Sequence, residues 1–100
     1  CPGCPHRGFF YTMSKKKNTV VTGDIGCYTL GASQPLEALD TCICMGAGFS
    51  AGMGVAKAFE MSERKGKVFG IVGDSTFFHS GITGAIDIVY NKGKVVPVSR

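Results

Sequence analysis

No apolar run in this sequence approaches the roughly 18 consecutive residues that a membrane-crossing helix needs, so no membrane span is expected. No signal segment is expected ahead of the domain, and the expected location is the cytoplasm. Acidic residues are scarce, seven Asp and Glu against eleven Lys and Arg, for a formal charge of +4. That surplus comes largely from Lys15, Lys16, Lys17, Arg64, Lys65 and Lys67. These flank turn-like segments and read as solvated side chains rather than a nucleic-acid surface. A disulfide framework is equally out of keeping. Five cysteines cannot all pair within one chain, and without a secretory signal thiols stay free for packing, metals or redox chemistry. Internal repeats are absent, and 100 residues hold one small domain, not two.

What the sequence has in excess is glycine. Its 15 glycines are about twice ordinary usage and gather between short apolar runs, as expected where backbone packs closely against a ligand. The 44% hydrophobic content provides for one core. A helix is expected over 7–17 and a β-branched strand over 19–22, ended by Gly23. A glycine-rich loop over 23–34 and a short helical turn over 35–39 should follow. The next strand, over 41–45, would turn Cys42 and Cys44 to one buried face as small hydrophobes. Phe49, Met53, Ala56 and Phe59 then share a helical face that runs toward Arg64, with Gly66 as the stop. A third strand over 67–72 and a polar turn over 73–80 precede the clearest helix. In it Ile82, Ala85, Ile86, Val89 and Tyr90 form the apolar stripe, and Asn91 and Gly93 close it. A fourth strand begins near Lys94, where Pro97 belongs at an edge or a bulge. The alternation predicts an α/β fold: a parallel sheet with helical crossovers, binding its ligand beyond the carboxyl ends of the strands.

Three constellations could carry chemistry. Gly73-Asp74-Ser75-Thr76 leaves a strand with an oxygen-rich turn suited to Mg²⁺ and phosphate, although an Asx-type turn capping a helix would look the same. Met45-Gly46-Ala47-Gly48, with Gly52, opens a helix with glycines. It reads as an anion site, as close helix-on-strand packing, or as a loose dinucleotide fingerprint for NAD(P). Cys1-Pro2-Gly3-Cys4, with Cys27 in a distant turn, offers three thiolates for an iron–sulfur cluster or zinc, or only free thiols at a frayed end. His6 and His79 read as surface or capping residues.

Taken in order, Cys-Pro-Gly-Cys-Pro-His-Arg-Gly, Gly-Asp-Ile-Gly-Cys-Tyr-Thr-Leu-Gly, Cys-Met-Gly-Ala, Gly-Asp-Ser-Thr-Phe-Phe-His-Ser-Gly and Tyr90-Asn91-Lys92 resemble the large (alpha) subunit of the indolepyruvate type of 2-oxoacid:ferredoxin oxidoreductase. The resemblance covers nearly the whole chain. It implies that residues 1–100 are part of a thiamine diphosphate-binding domain, truncated before the Asp-Asn pair that completes the family's cofactor motif, and that the activating glutamate belongs to another domain. It also implies that Asp74 is an Mg²⁺ ligand, that Gly73, Ser75 and Thr76 lie at the diphosphate, and that Gly26, Met45 and Gly46 line the cofactor. Cys1, Cys4 and Cys27 match positions that hold a 4Fe–4S cluster in relatives. The implied reaction is oxidative decarboxylation of an aryl 2-oxoacid such as indolepyruvate, with coenzyme A and ferredoxin as acceptors and a small (beta) subunit as partner. The fragment itself is expected to be inactive. A dinucleotide-binding oxidoreductase domain and a small iron–sulfur or zinc module remain the alternatives.

Overall fold

The computed structural model describes residues 1–99. Four strands, β1 (Thr19–Gly23), β2 (Thr41–Cys42), β3 (Lys67–Val72) and β4 (Val95–Ser99), form one sheet in the order β2-β1-β3-β4, with every neighbouring pair parallel. The connections are helical: α2 (Ala47–Met61) between β2 and β3, and α3 (Asp74–Thr76), a π-helical turn (Phe77–Gly81) and α4 (Ile82–Tyr90) in one run between β3 and β4. Helix α1 (His6–Lys15) precedes the sheet, and a 3₁₀ turn (Cys27–Ala32) follows β1. The expected α/β architecture is therefore present. Pro97, opposite Gly70 on β4, lies on an edge strand, where its missing N–H is tolerated.

Alternation along β3 creates two cores. Val68 and Val72 join Phe49, Met53, Ala56, Ile88 and Val95 under α2 and α4. Ile71 joins Phe10, Met13, Val21, Tyr28 and Ala38 under α1 and the 3₁₀ turn. Phe49, 1% exposed, and Ile71, fully buried, anchor the two layers; burying a side chain of this size contributes roughly 1.5–3 kcal/mol. Helix α2 lies so close to β3 that a Cβ on Gly48 would collide with the carbonyl oxygen of Ile71. A Cβ on Gly70 would come within 2.7 Å of the Gly48 carbonyl oxygen. The buried Thr22 hydroxyl donates to that same carbonyl at 2.6 Å, pinning the helix to β1 as well.

Several sequence expectations change. The second strand is two residues long, not five, and Cys42 and Cys44 are exposed rather than buried: β2 is a sheet edge, and the chain leaves it before a second inward position is reached. The loop expected over 23–34 contains the 3₁₀ turn. The helical turn expected over 35–39 is broken by Glu37 at φ 44°, while Ala38 N–H donates to the Gly31 carbonyl at 2.7 Å. Gly66 does not stop α2. Glu63, at φ 54°, takes the left-handed position, and Arg64 N–H returns to the Phe59 carbonyl at 2.9 Å. Lys92, at φ 51°, does the same after α4, with Gly93 N–H returning to Ile88. The polar turn over 73–80 is instead the start of a helix, with Gly73 as N-cap. Along α4 the expected stripe mostly faces outward, with Ile86, Val89 and Tyr90 at least 61% exposed. The inward face is small: Gly84, Ala85 and Ile88, continuing from Gly81 of the π-helical turn. Gly84 lies against Phe49, where a Cβ would come within 2.9 Å of that side chain, so α4 approaches α2 along its glycine face.

Two glycines on α2 should therefore respond in opposite ways. Gly48→Ala is expected to destabilise by about 3 kcal/mol or more, because the clash is with backbone. Gly54→Ala, with open space at its Cβ, should stabilise by roughly 0.5–1 kcal/mol. Urea unfolding of both variants checks the pair of signs.

Candidate functional site

Parallel topology gathers the turns after β1, β2 and β3 at one end of the sheet. The first turn begins with Asp24, which is fully buried. Its Oδ1 accepts the Gly46 N–H at 2.8 Å and its Oδ2 accepts the Gly73 N–H at 3.0 Å. One carboxylate thus joins the second and third turns to the first. The Asp24 carbonyl accepts the Thr29 hydroxyl at 2.9 Å, and that hydroxyl oxygen accepts the Gly26 N–H at 3.1 Å. Gly26, Gly46 and Gly73, singled out separately in the sequence, thereby belong to one hydrogen-bonded unit. Sequence reasoning placed Gly26 at the site but gave Asp24, two residues before it, no role of its own. The available signal was an acid directly after an apolar, β-branched strand.

Around this unit the surface is divided. On the turns after β1 and β2, large apolar side chains face outward: Ile25 (43% exposed), Leu30 (66%), Ile43 (66%) and Met45 (52%). After β3, Asp74 and Ser75 are exposed in the first helical turn, Asp74 Oδ1 accepting the Ser75 N–H at 2.8 Å. Thr76 is turned inward and only 6% exposed. Gly26 is open, with no atom within 4 Å of a Cβ built on it. Gly46 is buried at φ 87°, where a Cβ would come within 2.8 Å of Ser80 Oγ, so the α2 start also abuts the π-helical turn. π-turns of this kind are frequent at functional sites.

This arrangement suits an amphipathic ligand with rings at one end and a metal-bound diphosphate at the other. A single exposed carboxylate is what Mg²⁺ requires when phosphates and water supply the remaining ligands. Gly46 and Gly73 N–H groups, in contrast, are already committed to Asp24 and do not serve a phosphate. The glycine series on α2 resolves in favour of packing, since Gly48 and Gly52 are where the helix meets Ile71, Thr22 and Val95.

The cysteines do not form the expected set. Cys27 opens the 3₁₀ turn, and its neighbour Tyr28 packs against His6 with tilted rings 4.8 Å apart; the helix of His6 follows Cys4. Among the described residues, however, no three Cys, His, Asp or Glu side chains converge to hold a metal. Cys1, Cys4 and Cys27 thus do not assemble a cluster site among the described residues, the N-terminal pair lying exposed and half-buried in the turn that precedes α1. The buried His6 Nδ1 has no hydrogen-bond partner, and His79 is exposed on the π-helical turn. A cavity of about 910 Å³ lined by Lys16, Lys17, Phe59, Arg64, Lys67 and Lys94 lies at the opposite, amino ends of the strands.

Residues 24–99 match the family model described as the thiamine pyrophosphate enzyme, C-terminal TPP binding domain. The chain belongs to this family. The stretch that matches the TPP (thiamine diphosphate) enzymes' domain contains all three turns. The chain is also similar to the indolepyruvate oxidoreductase subunit IorA of Archaeoglobus fulgidus, 41% identical over 102 residues. The same subunit of Pyrococcus abyssi is 38% identical, and that of Thermococcus kodakarensis 37%, each over 109 residues. Each comparison covers 98% of this chain but 16–17% of the relative, so the chain spans about a sixth of their length. No solved structure gives a significant match. Among the described residues, no helix of this TPP-domain chain is long and apolar enough to cross a membrane.

Because Cys1, Cys27, Cys42 and Cys44 are exposed, all four thiols should react with Ellman's reagent in the folded chain without denaturant. Release of fewer than about four equivalents before unfolding would contradict the exposed placement of at least one of the four.

Proposed function

We propose that this chain is the partial thiamine diphosphate-binding domain, residues 1–100, of a cytoplasmic enzyme that oxidatively decarboxylates aryl 2-oxoacids. Indolepyruvate is the proposed substrate, in line with the name of the relatives. Coenzyme A and ferredoxin are the proposed acceptors, and a second, smaller subunit the partner. The observation that carries this reading is the single unit of three turns, apolar on two sides and acidic on the third, inside the matched family domain.

When bound, thiamine diphosphate would supply a nucleophilic carbanion and an electron sink for the pair left behind by decarboxylation. The residues of this chain bind and orient. Asp74 would hold Mg²⁺ and Ser75 would meet the diphosphate, while Gly73 keeps the turn slim enough for close approach. Met45, Ile43 and Ile25 would cover the ring end and keep water from it, and Gly26 leaves backbone open beside them. No proton-transfer group is assigned on this chain. A 4Fe–4S cluster on Cys1, Cys4 and Cys27, implied by the resemblance, is not carried into the mechanism, since those thiols do not converge.

The dinucleotide alternative is weaker on a specific ground. The Gly46 N–H, which a pyrophosphate would need at the helix start, is taken by Asp24, and an anion there would face a buried carboxylate. A metal or iron–sulfur module lacks a converging ligand set among the described residues.

Titration of the complete enzyme should give saturable binding of thiamine diphosphate that requires Mg²⁺, with none for NAD(P)H. Asp74→Ala should weaken that binding by about a hundredfold or more, near 3 kcal/mol, while leaving the melting temperature unchanged. Unaltered Mg²⁺ dependence in this variant would remove Asp74 from the metal. The 100-residue chain alone, with one carboxylate for the metal, is expected to bind the cofactor only near about 1 mM, as calorimetry would measure, and to show no oxoacid-dependent dye reduction.

A further inference from the structure

We infer that Asp24 is the positioning residue of this site, acting as a clasp that sets the distance between the two turns that must act on one ligand. The inference rests on the thiamine diphosphate reading and deepens it. Asp24 touches neither metal nor cofactor in this account; it works through Gly46 and Gly73.

The case is geometric. A fully buried carboxylate is costly unless each oxygen finds a donor. Here both donors are backbone N–H groups at 2.8 and 3.0 Å, from segments 22 and 49 residues away. Gly46 is the N-cap of α2 and Gly73 the N-cap of α3, so the carboxylate sits between two helix starts whose partial positive charge stabilises it. Through Gly73 it fixes the residue before Asp74. Through Gly46 it fixes the residue after Met45. The same residue's carbonyl orders the Gly26 turn by way of Thr29. An amide cannot substitute: Asn offers one oxygen acceptor, and its –NH₂ would face a second N–H, donor against donor. One of the two turns would then be released, and Asp74 would no longer be held in register with the apolar side of the site.

The test compares the complete wild-type enzyme with Asp24→Asn and Thr29→Val. Calorimetric titration with thiamine diphosphate plus Mg²⁺ should show affinity in Asp24→Asn at least about tenfold weaker, as expected when a charge-assisted hydrogen bond is lost. The rate constant at saturating cofactor should stay within about threefold, the pattern of lost binding rather than lost chemistry. Thr29→Val, which releases only the Gly26 turn, should shift affinity by about threefold or less. A residue of merely structural importance would lower the melting temperature and the folded fraction but leave the affinity of folded molecules as it was; that result, with wild-type enzyme binding normally, overturns the inference. Absence of binding by the wild-type enzyme would instead overturn the thiamine diphosphate reading itself. Should Asp24→Asn not fold, hydrogen exchange of the ligand-free wild-type enzyme decides. Peptides containing the Gly46 and Gly73 amides should both be protected before cofactor is added, and fast exchange at either until cofactor arrives would show that Asp24 does not hold it.

Discussion

The close approach of α2 to the sheet is the contact on which the rest of this domain depends. At Gly48 and Gly70 two backbones meet with no side chain between them, and the buried Thr22 hydroxyl bonds the Gly48 carbonyl at 2.6 Å. A helix held this low brings its first residue, Gly46, down to the level of the strand ends. Only there can it meet a carboxylate that belongs to the turn after β1. With α2 raised by the width of one methyl group, Asp24 would lose its Gly46 donor and stand buried with half its hydrogen bonds, a state that costs more than the bond itself contributes. Packing and site geometry are therefore one constraint. The helix–sheet spacing sets the reach of the carboxylate, and the carboxylate sets the spacing of the turns.

The π-helical turn belongs to the same arrangement. Ile82 N–H returns to the Phe77 carbonyl, which widens the helix between α3 and α4. The widened stretch carries Ser80 to the back of Gly46 and Phe77 edge-on to Phe49, at a centroid distance of 6.2 Å. The third turn is thus braced twice, by Asp24 at its start and by α2 along its flank. Asp74 and Ser75 project from this braced segment, which is how exposed residues come to be held in a defined direction.

The parts of this structure that were legible beforehand are those governed by local periodicity. β3 was read with its exact bounds because a β-branched, apolar run between Gly66 and Gly73 has no competing pattern. Helix α2 and its buried Phe49, Met53 and Ala56 followed from spacing alone. The failures came where tertiary context decides. The stripe of Ile82, Ile86, Val89 and Tyr90 is a correct helical pattern, but periodicity says which residues share a face, not which face is covered; α4 turns its glycines inward because α2 is already close. Cys42 and Cys44 were misplaced because the length of an edge strand is set by its single neighbour, β1, and not by its own sequence. Glu63 and Lys92 occupy left-handed positions usually given to glycine, so the helix ends were not marked by the residue type that ordinarily marks them.

The candidate site was legible as motifs and illegible as a mechanism of assembly. Gly26, Gly46 and Gly73 each stood out, yet the glycines of the second turn supported anion binding, close packing and dinucleotide recognition equally well. What separates these readings is the destination of one hydrogen. When the Gly46 N–H points to solvent, the helix start is an anion site; here it points to Asp24, and the role of the turn becomes positional. That destination depends on a residue 22 positions earlier and on a helix–sheet distance fixed by Gly48 and Gly70. A residue pattern records where glycine is tolerated. Only the fold determines which of its uses, approach to a ligand or approach to another backbone, the glycine serves.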